Sequence, residues 1–317
     1  MITSPELSVV IPTKDRPALL ARAVDSVVSQ GPGIEVIVVD DGSAPDAVEA
    51  MRAIADEPAV RMVRCDVSTG APRARNRGLD LARGRYWATL DDDDEWLPGK
   101  WEAQRSALSR SGADAGIVAI AGIVPVTSDG EGPPIRTEAG GPFRYGGLDE
   151  LFARVRVRAF LNTYVAPTAL MHRIGGYDPR LVWGEHTDVL IRLSGVATFV
   201  GVDHIGVRVH RAHEADETRV GRDEALRAEG IALLLEKHAV AFAGAPGIRA
   251  RYEEVLGVTL LHLGRRDDAI RTFSRIVGRR GAGWHRLRAI GRIISAASGG
   301  GARRDPRARP RLEEPAA

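Results

Sequence analysis

The chain has 317 residues, of which 44% are hydrophobic and 27% charged, and its formal net charge is +2, as is ordinary for a globular protein. Its single cysteine, Cys65, excludes an internal disulfide and fits a reducing compartment. No signal peptide is visible after Met1, and no apolar run approaches the roughly 20 residues that span a bilayer. We therefore expect a cytoplasmic protein with one large α/β domain and a smaller appendage.

Strand-like and helix-like segments alternate over the first 110 residues, which is typical of βαβ units in a parallel sheet. Apolar strands are predicted at residues 7–11, 34–39, 61–64 and 86–90. Helices are predicted to begin at Pro17, near Asp46 and near Pro72, since proline favours the first position of a helix. We therefore expect a mainly parallel, Rossmann-like α/β sheet.

The second half of the chain changes character near residue 222. Before it, the pattern predicts strands at residues 115–124, 162–172, 198–200 and 205–209 and a helix containing residues 188–193. After it, helical spacing continues to about residue 297, with one pair resembling a tetratricopeptide unit around Gly264, or else a plain helical cap. We expect a domain at residues 1–221, a helical region at 222–298 and a disordered tail at 299–317.

Polar residues follow three of the predicted strands directly. Thr13, Asp40 and Asp91 each stand where a strand ends. Ligands of open parallel sheets bind beyond the carboxyl ends of the strands, so these residues should converge on one crevice.

The acidic run from Asp91 to Asp94 is the strongest candidate for a metal site. Four adjacent carboxylates repel one another unless a cation or a basic cluster neutralises them. Oxygen ligands at this density suit Mg²⁺ or Mn²⁺, which would also hold nucleotide phosphates. The alternative is a solvated acidic loop, but the run lies between an apolar strand and Trp96.

Two further segments carry candidate nucleotide contacts. Asp40 can accept hydrogen bonds from a base or a ribose, although Asp and Ser also stabilise ordinary turns. Residues 70–78 form a small-residue loop that opens a basic helix, whose amides and arginines suit diphosphate oxygens. The arginines lie on different faces, and Arg73 is the one predicted to reach the ligand.

Four segments together resemble the family 2 glycosyltransferases of the GT-A fold. They are residues 8–13 (SVVIPT), 39–43 (VDDGS), 74–78 (ARNRG) and 90–98 (LDDDDEWLP). The resemblance covers roughly the first 105 residues and continues more loosely to about His210. It implies inverting transfer of a sugar from a nucleotide diphosphate donor, assisted by Mn²⁺ or Mg²⁺.

The same resemblance implies roles for individual residues. Pro12, Thr13 and Asp40 would contact the nucleotide. Asp92 would lie near the ribose, and Asp93 would be the chief metal ligand of the family's Asp-x-Asp element, which begins here at Asp91.

A later segment, residues 175–178 (GGYD) with 183–188 (WGEHTD), resembles the acidic motif that supplies the family's catalytic base. His186 stands where the family usually has Asp, so Glu185, His186 and Asp188 are all candidates for the base. A histidine near the place of His210 often approaches the metal or diphosphate in the family, but His210 could instead cover the rim of the cleft.

The last predicted helix combines an apolar stripe with arginines, and the segment from Arg275 to Arg311 contains Asp305 as its only acid. A basic amphipathic helix can lie on an anionic membrane, which would make the protein peripheral at the inner face of the membrane. The alternative is that its apolar side packs on the preceding helices. No nucleic-acid partner is expected.

Two other function classes compete with a glycosyltransferase. The altered base motif suits a nucleotide-sugar-binding protein that has lost transfer activity. A nucleotidyltransferase shares the carboxylate-bound metal, but it would usually carry a glycine-rich loop after the first strand, where residues 12–16 lack glycine. The sequence does not specify the donor sugar or the acceptor, which could belong to a cell-surface glycan, a glycolipid or a secondary metabolite.

Overall fold

The computed structural model describes residues 5–111, 116–137, 140–154, 162–210 and 223–297, and the expected tail at 299–317 lies outside them. The chain divides into two compact units. The first comprises Met1–Arg144, Arg154–Pro179 and His186–Ala215, and the second Tyr145–Ala153, Arg180–Glu185 and Asp216–Ala317.

Four parallel strands in the order β3-β2-β1-β4 begin the sheet of the first unit. They are β1 (Leu7–Thr13), β2 (Ile34–Asp40), β3 (Val60–Arg64) and β4 (Tyr86–Thr89). The helices between them are α1 (Pro17–Val28), α2 (Pro45–Ala50), α3 (Arg52–Ala55) and α4 (Ala71–Leu81). All residues of β1 and β2 are buried, as expected of central parallel strands covered by helices on both faces.

The sheet becomes mixed in its second half. The later strands are β5 (Glu95–Trp96), β6 (Ile117–Thr127), β7 (Gly130–Glu131), β8 (Tyr164–Pro167) and β9 (Thr198–His210). Among the described residues, nine strands form one sheet whose order runs β4-β8-β6-β9-β5 after β1, with β7 paired to β6. β8 is antiparallel to both its neighbours, while β6 and β9 are parallel. The helices of this part are α5 (Lys100–Arg110), α7 (Thr168–Arg173) and α8 (Glu185–Ser194), whereas α6 (Leu148–Arg154) falls almost entirely in the second unit.

Two sequence-based boundaries differ from the structure. The predicted strand at 162–172 ends at Pro167, and residues from Thr168 form α7 instead, because proline has no amide hydrogen for a sheet and suits a helix start. The strands predicted at 198–200 and 205–209 are one strand, β9. Its pairing with β6 shifts register around Gly122, so an irregularity interrupts the apolar alternation without ending the strand.

The C-terminal part of the second unit is helical, as the periodicity predicts. Its helices are α9 (Glu224–Lys237), α10 (Ala239–Ala243), α11 (Pro246–His262), α12 (Arg266–Gly278) and α13 (His285–Ala297). Gly264 turns the chain between α11 and α12 with a φ of 75°. Gly257 lets these two helices pack closely, since a Cβ there would lie 2.5 Å from the ring of Phe273. No described helix is both long enough and apolar enough to cross a membrane.

Helix α4 packs closely on the sheet through Gly78. A Cβ on Gly78 would lie 2.3 Å from Cγ1 of Val10, which is fully buried in β1. The close approach matters for the site because α4 carries arginines toward the ends of the strands.

We expect Gly78→Ala to lower the free energy of unfolding by about 1–3 kcal/mol, because the stiff Val10 side chain cannot make room for a methyl group. Urea unfolding measures the loss. Gly195→Ala is the matched control in the same unit, since the nearest atom to its new Cβ would be at an ordinary 3.6 Å. Equal stability of the two variants would contradict this account of the packing.

Candidate active site

The residues predicted to converge lie together where β1, β2 and β4 end. Thr13 and Asp40 are directly opposite one another in the parallel register of β1 and β2, and Pro12 is opposite Val39. The Thr13 hydroxyl donates to Asp92 Oδ2 at 2.7 Å, joining the end of β1 to the acidic run after β4. The structure therefore brings Pro12, Thr13, Asp40 and Asp92 to one edge of the sheet.

Three carboxylates of the acidic run gather into one cluster. Asp91, Asp93 and Asp94 each present a carboxylate oxygen, and these oxygens lie within 4.8 Å of one another. Within the described part of the chain, this is the one such group of three potential metal-binding side chains. Burial, together with the charges of Asp93 and Asp91, raises the pKa of Asp94 well above its usual range. The cluster is crowded with negative charge that a bound cation would relieve.

Neighbouring donors hold Asp94 in place. Asn162 donates from Nδ2 to Asp94 Oδ2 at 2.5 Å, and its Oδ1 accepts from the Asp91 amide at 3.1 Å. The main-chain amide of His210 donates to Asp94 Oδ1 at 2.9 Å, while the His210 ring lies 2.5 Å from Glu95 Oε1 through Nε2. His210 thus supports the cluster through its backbone, and its imidazole pairs with Glu95.

Asp92 differs from its neighbours in the run. Besides Thr13, its carboxylate contacts Nη1 of Arg16 at 3.3 Å. Burial raises the pKa of Asp92 to about 6, against the lowering effects of the Thr13 hydroxyl and the Arg16 charge. The run is therefore divided between a three-carboxylate cluster and a carboxylate tied to the end of β1.

Arg75, rather than Arg73, lies within the acidic site. Arg75 Nη2 donates to Asp91 Oδ1 at 2.6 Å, and its side chain is only 4% exposed. Burial alone would raise the pKa of Asp91. The combined effects of Arg75, His186 and the Asn162 side chain are larger, so the pKa of Asp91 is lowered. Arg73, the arginine singled out from the sequence, is exposed and reaches the Thr69 carbonyl at 3.5 Å.

The paired aspartates after β2 hold the surrounding loops. Asp40 accepts from the Ser43 amide at 2.9 Å and from Arg64 Nη1 at 2.8 Å, so each of its oxygens has a partner in the chain. Asp41 accepts four hydrogen bonds from residues 68–70, between 2.7 and 3.0 Å. Burial alone would raise the pKa of Asp41, but these hydrogen bonds together have a larger effect, so the pKa of Asp41 is lowered.

The three candidates for the base have different surroundings. His186 is buried, with its ring edge-on to Tyr177 and Nδ1 3.4 Å from the Tyr177 hydroxyl. Burial, and to a smaller extent the Arg75 charge, lower the pKa of His186 to about 3, although the negative charge of Asp91 acts to raise it. The imidazole is therefore neutral near pH 7. Asp188 is fully buried and pairs with Arg192 through Oδ2 at 2.5 Å.

Arg192 also donates to the carbonyls of Ile174 and Gly176, so Asp188 helps to hold the 174–176 turn against α8. Glu185 is the first residue of α8, and its side chain is half-buried.

The motifs did not indicate Asn162 or single out Arg75. Asn162 is 68 residues from Asp94, and no sequence spacing joins them. A helical projection of α4 offers a signal for Arg75, because it shares one buried face with Gly78 and Leu79, whereas Arg73 is exposed.

We expect Arg75→Gln to lower the free energy of unfolding by about 2–4 kcal/mol, since it leaves the half-buried Asp91 charge without its guanidinium. Arg73→Gln, two residues earlier on the same helix, should change it by less than about 0.5 kcal/mol. Chemical unfolding in the presence of a chelator measures both. A loss at Arg73 equal to that at Arg75 would contradict the assignment.

Part of the chain is similar to known glycosyltransferases. Residues 8–160 match the family described as "Glycosyl transferase family 2". The succinoglycan biosynthesis protein ExoO of Rhizobium meliloti is 35% identical over 136 residues, which are 43% of this chain and 38% of ExoO. A Campylobacter jejuni protein named GalNAc(5)-diNAcBac-PP-undecaprenol beta-1,3-glucosyltransferase is 36% identical over 98 residues, 30% of this chain and 32% of its own. The chain thus spans less than two fifths of the length of these relatives.

The fold has a solved counterpart in Staphylococcus aureus TarS. The crystal structure of TarS 1-349 in complex with UDP-GlcNAc has a TM-score of 0.58 and 13% identity, covering 93% of this chain and 91% of that one. At that identity the likeness concerns the fold alone, which is the α/β fold expected from the sequence. The match over residues 8–160 and the named relatives show that this part of the chain is similar to glycosyl transferase family 2.

Proposed function

We propose that the protein transfers a sugar from a nucleotide diphosphate donor to a hydroxyl group of a cell-surface glycan or of its lipid-linked precursor, with inversion at the sugar carbon. One observation carries the proposal. Asp91, Asp93 and Asp94 cluster beside the Thr13–Asp92 hydrogen bond at the strand ends, where this sheet type binds nucleotides. Two relatives are named for succinoglycan biosynthesis and for an undecaprenol-linked glycan, and these names support the choice of acceptor.

The three-carboxylate cluster fits a divalent cation. Its oxygens lie within 4.8 Å of one another, and the raised pKa of Asp94 reflects crowding that a cation relieves. Asp91, Asp93 and Asp94 would hold Mn²⁺ or Mg²⁺, while the predicted ligand role of the His210 ring stays a prediction. A bound cation would supply neutralisation of the charge that grows on the departing diphosphate.

The nucleotide would bind on the Thr13 side of the cluster. Asp92 and Thr13 offer oxygens to a ribose hydroxyl, and the Arg16 guanidinium offers charge to a phosphate. Asp40 would shape this side through the turn that it holds with Ser43 and Arg64. Arg75 would take the diphosphate role predicted for Arg73, because it is the arginine paired inside the site.

We infer that Glu185 is the catalytic base. A neutral, buried imidazole of pKa about 3 is a weak base, and Asp188 is engaged by Arg192 in holding a turn. Glu185, which precedes His186 in α8, is the candidate with a half-buried carboxylate. It would accept the proton of the acceptor hydroxyl while that oxygen bonds to the sugar carbon and the carbon–diphosphate bond breaks. His186 and Asp188 then act as positioning residues for the start of α8.

The donor site is tested with Asp93→Ala. Wild-type protein should gain about 5–10 °C in unfolding midpoint with Mn²⁺ and UDP at about 100 times their dissociation constant, and Asp93→Ala should lose this gain. Its midpoint in chelator should not fall, because one repulsive charge has been removed. Asp80→Ala, at an exposed position on α4, is the control and should respond as wild type does. An undiminished gain in Asp93→Ala would overturn the metal assignment.

The base is tested with Glu185→Gln and His186→Gln, which alter adjacent residues. Glu185→Gln should lower kcat by about 10²- to 10⁴-fold with donor affinity unchanged, because an amide cannot accept the proton. His186→Gln should keep most of the turnover. Product formation from labelled donor measures kcat, and thermal shift measures donor affinity separately. If Glu185→Gln keeps full turnover and His186→Gln loses it, His186 is the base instead. If the wild-type protein binds donor but forms no product, the proposed transfer reaction is contradicted.

A further inference from the structure

Helix α13 presents its bulky apolar side chains to solvent and its small ones to the protein. Ala289 and Ala296 are buried, whereas Leu287 is 74% and Ile294 63% exposed. Of the eight large hydrophobic side chains exposed in the described part of the chain, four fall between Trp284 and Ile294. Most of the apolar stripe therefore faces solvent rather than the preceding helices, and Ile293 is its half-buried member.

A buried ion pair fixes this orientation. Glu254 of α11, almost fully buried, lies 2.7 Å from His285 Nδ1 through Oε2 and 2.7 Å from Arg288 Nε through Oε1. His285 is itself buried at the start of α13. Rotating the helix to hide Leu287 would break both contacts and leave a buried carboxylate unpaired, which is costly. The outward apolar face is thus built into the fold.

Positive charge lies beside the apolar face. Arg286 is exposed on α13, and Arg280 is exposed just before it. The Arg288 guanidinium lies over the Trp284 ring, 4.6 Å from its centroid. The sequence from Ala269 to Arg304 contains no acidic residue, so nothing within this stretch balances these cations.

We propose that the exposed apolar face formed by Trp284 and, on α13, by Leu287, Ile290 and Ile294, with the exposed Arg286 beside it, binds the surface of an anionic lipid bilayer. Its 13 residues are about 20 Å long, which suits a helix lying in the plane of the interface rather than crossing it. The apolar side chains enter the boundary between headgroups and acyl chains, and Arg286 contacts lipid phosphates. The tryptophan at the helix start suits the interface, where its ring is apolar and its N–H is wet.

The test is co-sedimentation of the full chain with vesicles. The wild-type chain should bind vesicles of phosphatidylcholine containing roughly one third phosphatidylglycerol, bind pure phosphatidylcholine more weakly, and lose affinity near 1 M salt, where the screening length is about 3 Å. Leu287→Glu should weaken binding at least about tenfold, because it replaces an inserted apolar side chain with a charge. Val240→Glu alters a side chain that is 90% exposed elsewhere in the same unit and should bind as wild type.

A second pair of variants separates charge from apolar contact. Arg286→Glu should weaken binding to the anionic vesicles about tenfold or more and leave binding to neutral vesicles unchanged. Arg61→Glu, at an exposed position on β3, makes the same charge change away from α13 and should have no effect.

Absence of wild-type binding to anionic vesicles, or wild-type affinity in Leu287→Glu, would overturn the proposal. So would self-association without lipid that Leu287→Glu abolishes, since the face would then join two copies of the chain. The assay contains neither donor nor acceptor, so its outcome is independent of the proposed transfer reaction.

Discussion

The site depends on holding four consecutive carboxylates at the end of β4 against their mutual repulsion. Three of the four are held from other parts of the chain: Asp91 by Arg75, Asp92 by Thr13, and Asp94 by Asn162 and the His210 amide. Arg22 donates to the main-chain carbonyl of Asp93 and so holds the loop itself. Elements distant in sequence thus converge on this loop, and the sheet serves to bring them there.

The first half of the fold could be predicted from sequence because it is locally encoded. The bounds of β1 to β4 and of α1 and α4 follow from apolar runs, prolines at helix starts and acidic turns at strand ends. The second half was harder for a physical reason. Pro167 ends β8 in the middle of the segment predicted as one strand. The irregular pairing at Gly122 allows β9 to continue through a stretch for which the sequence predicts two strands.

The candidate site also has a part that could be predicted from the sequence and a part that could not. Residues at strand ends, such as Thr13 and Asp91, could be placed together because parallel strands fix where their ends meet. The orientation of a side chain within the site could not, since it depends on packing across the chain. Which of Arg73 and Arg75 lies beside Asp91 depends on which face of α4 meets β1, and the close approach of Gly78 to Val10 fixes that face. The roles of Asp188 and Asn162 depend on partners that no spacing rule connects to them.

The surroundings of Asp41 and Asp94 differ in a way that separates a carboxylate that holds a loop from one that is placed to bind a ligand. Both follow buried strands, and both are buried themselves. Asp41 receives four hydrogen bonds, and its pKa falls, so its charge is satisfied within the protein and holds the 68–70 loop. Asp94 receives two, from Asn162 and His210, yet burial beside Asp93 and Asp91 raises its pKa. The protein has positioned this second carboxyl group without an opposite charge that would stabilise its ionised form. Such an arrangement costs stability, which is a reason to expect that an external cation completes it.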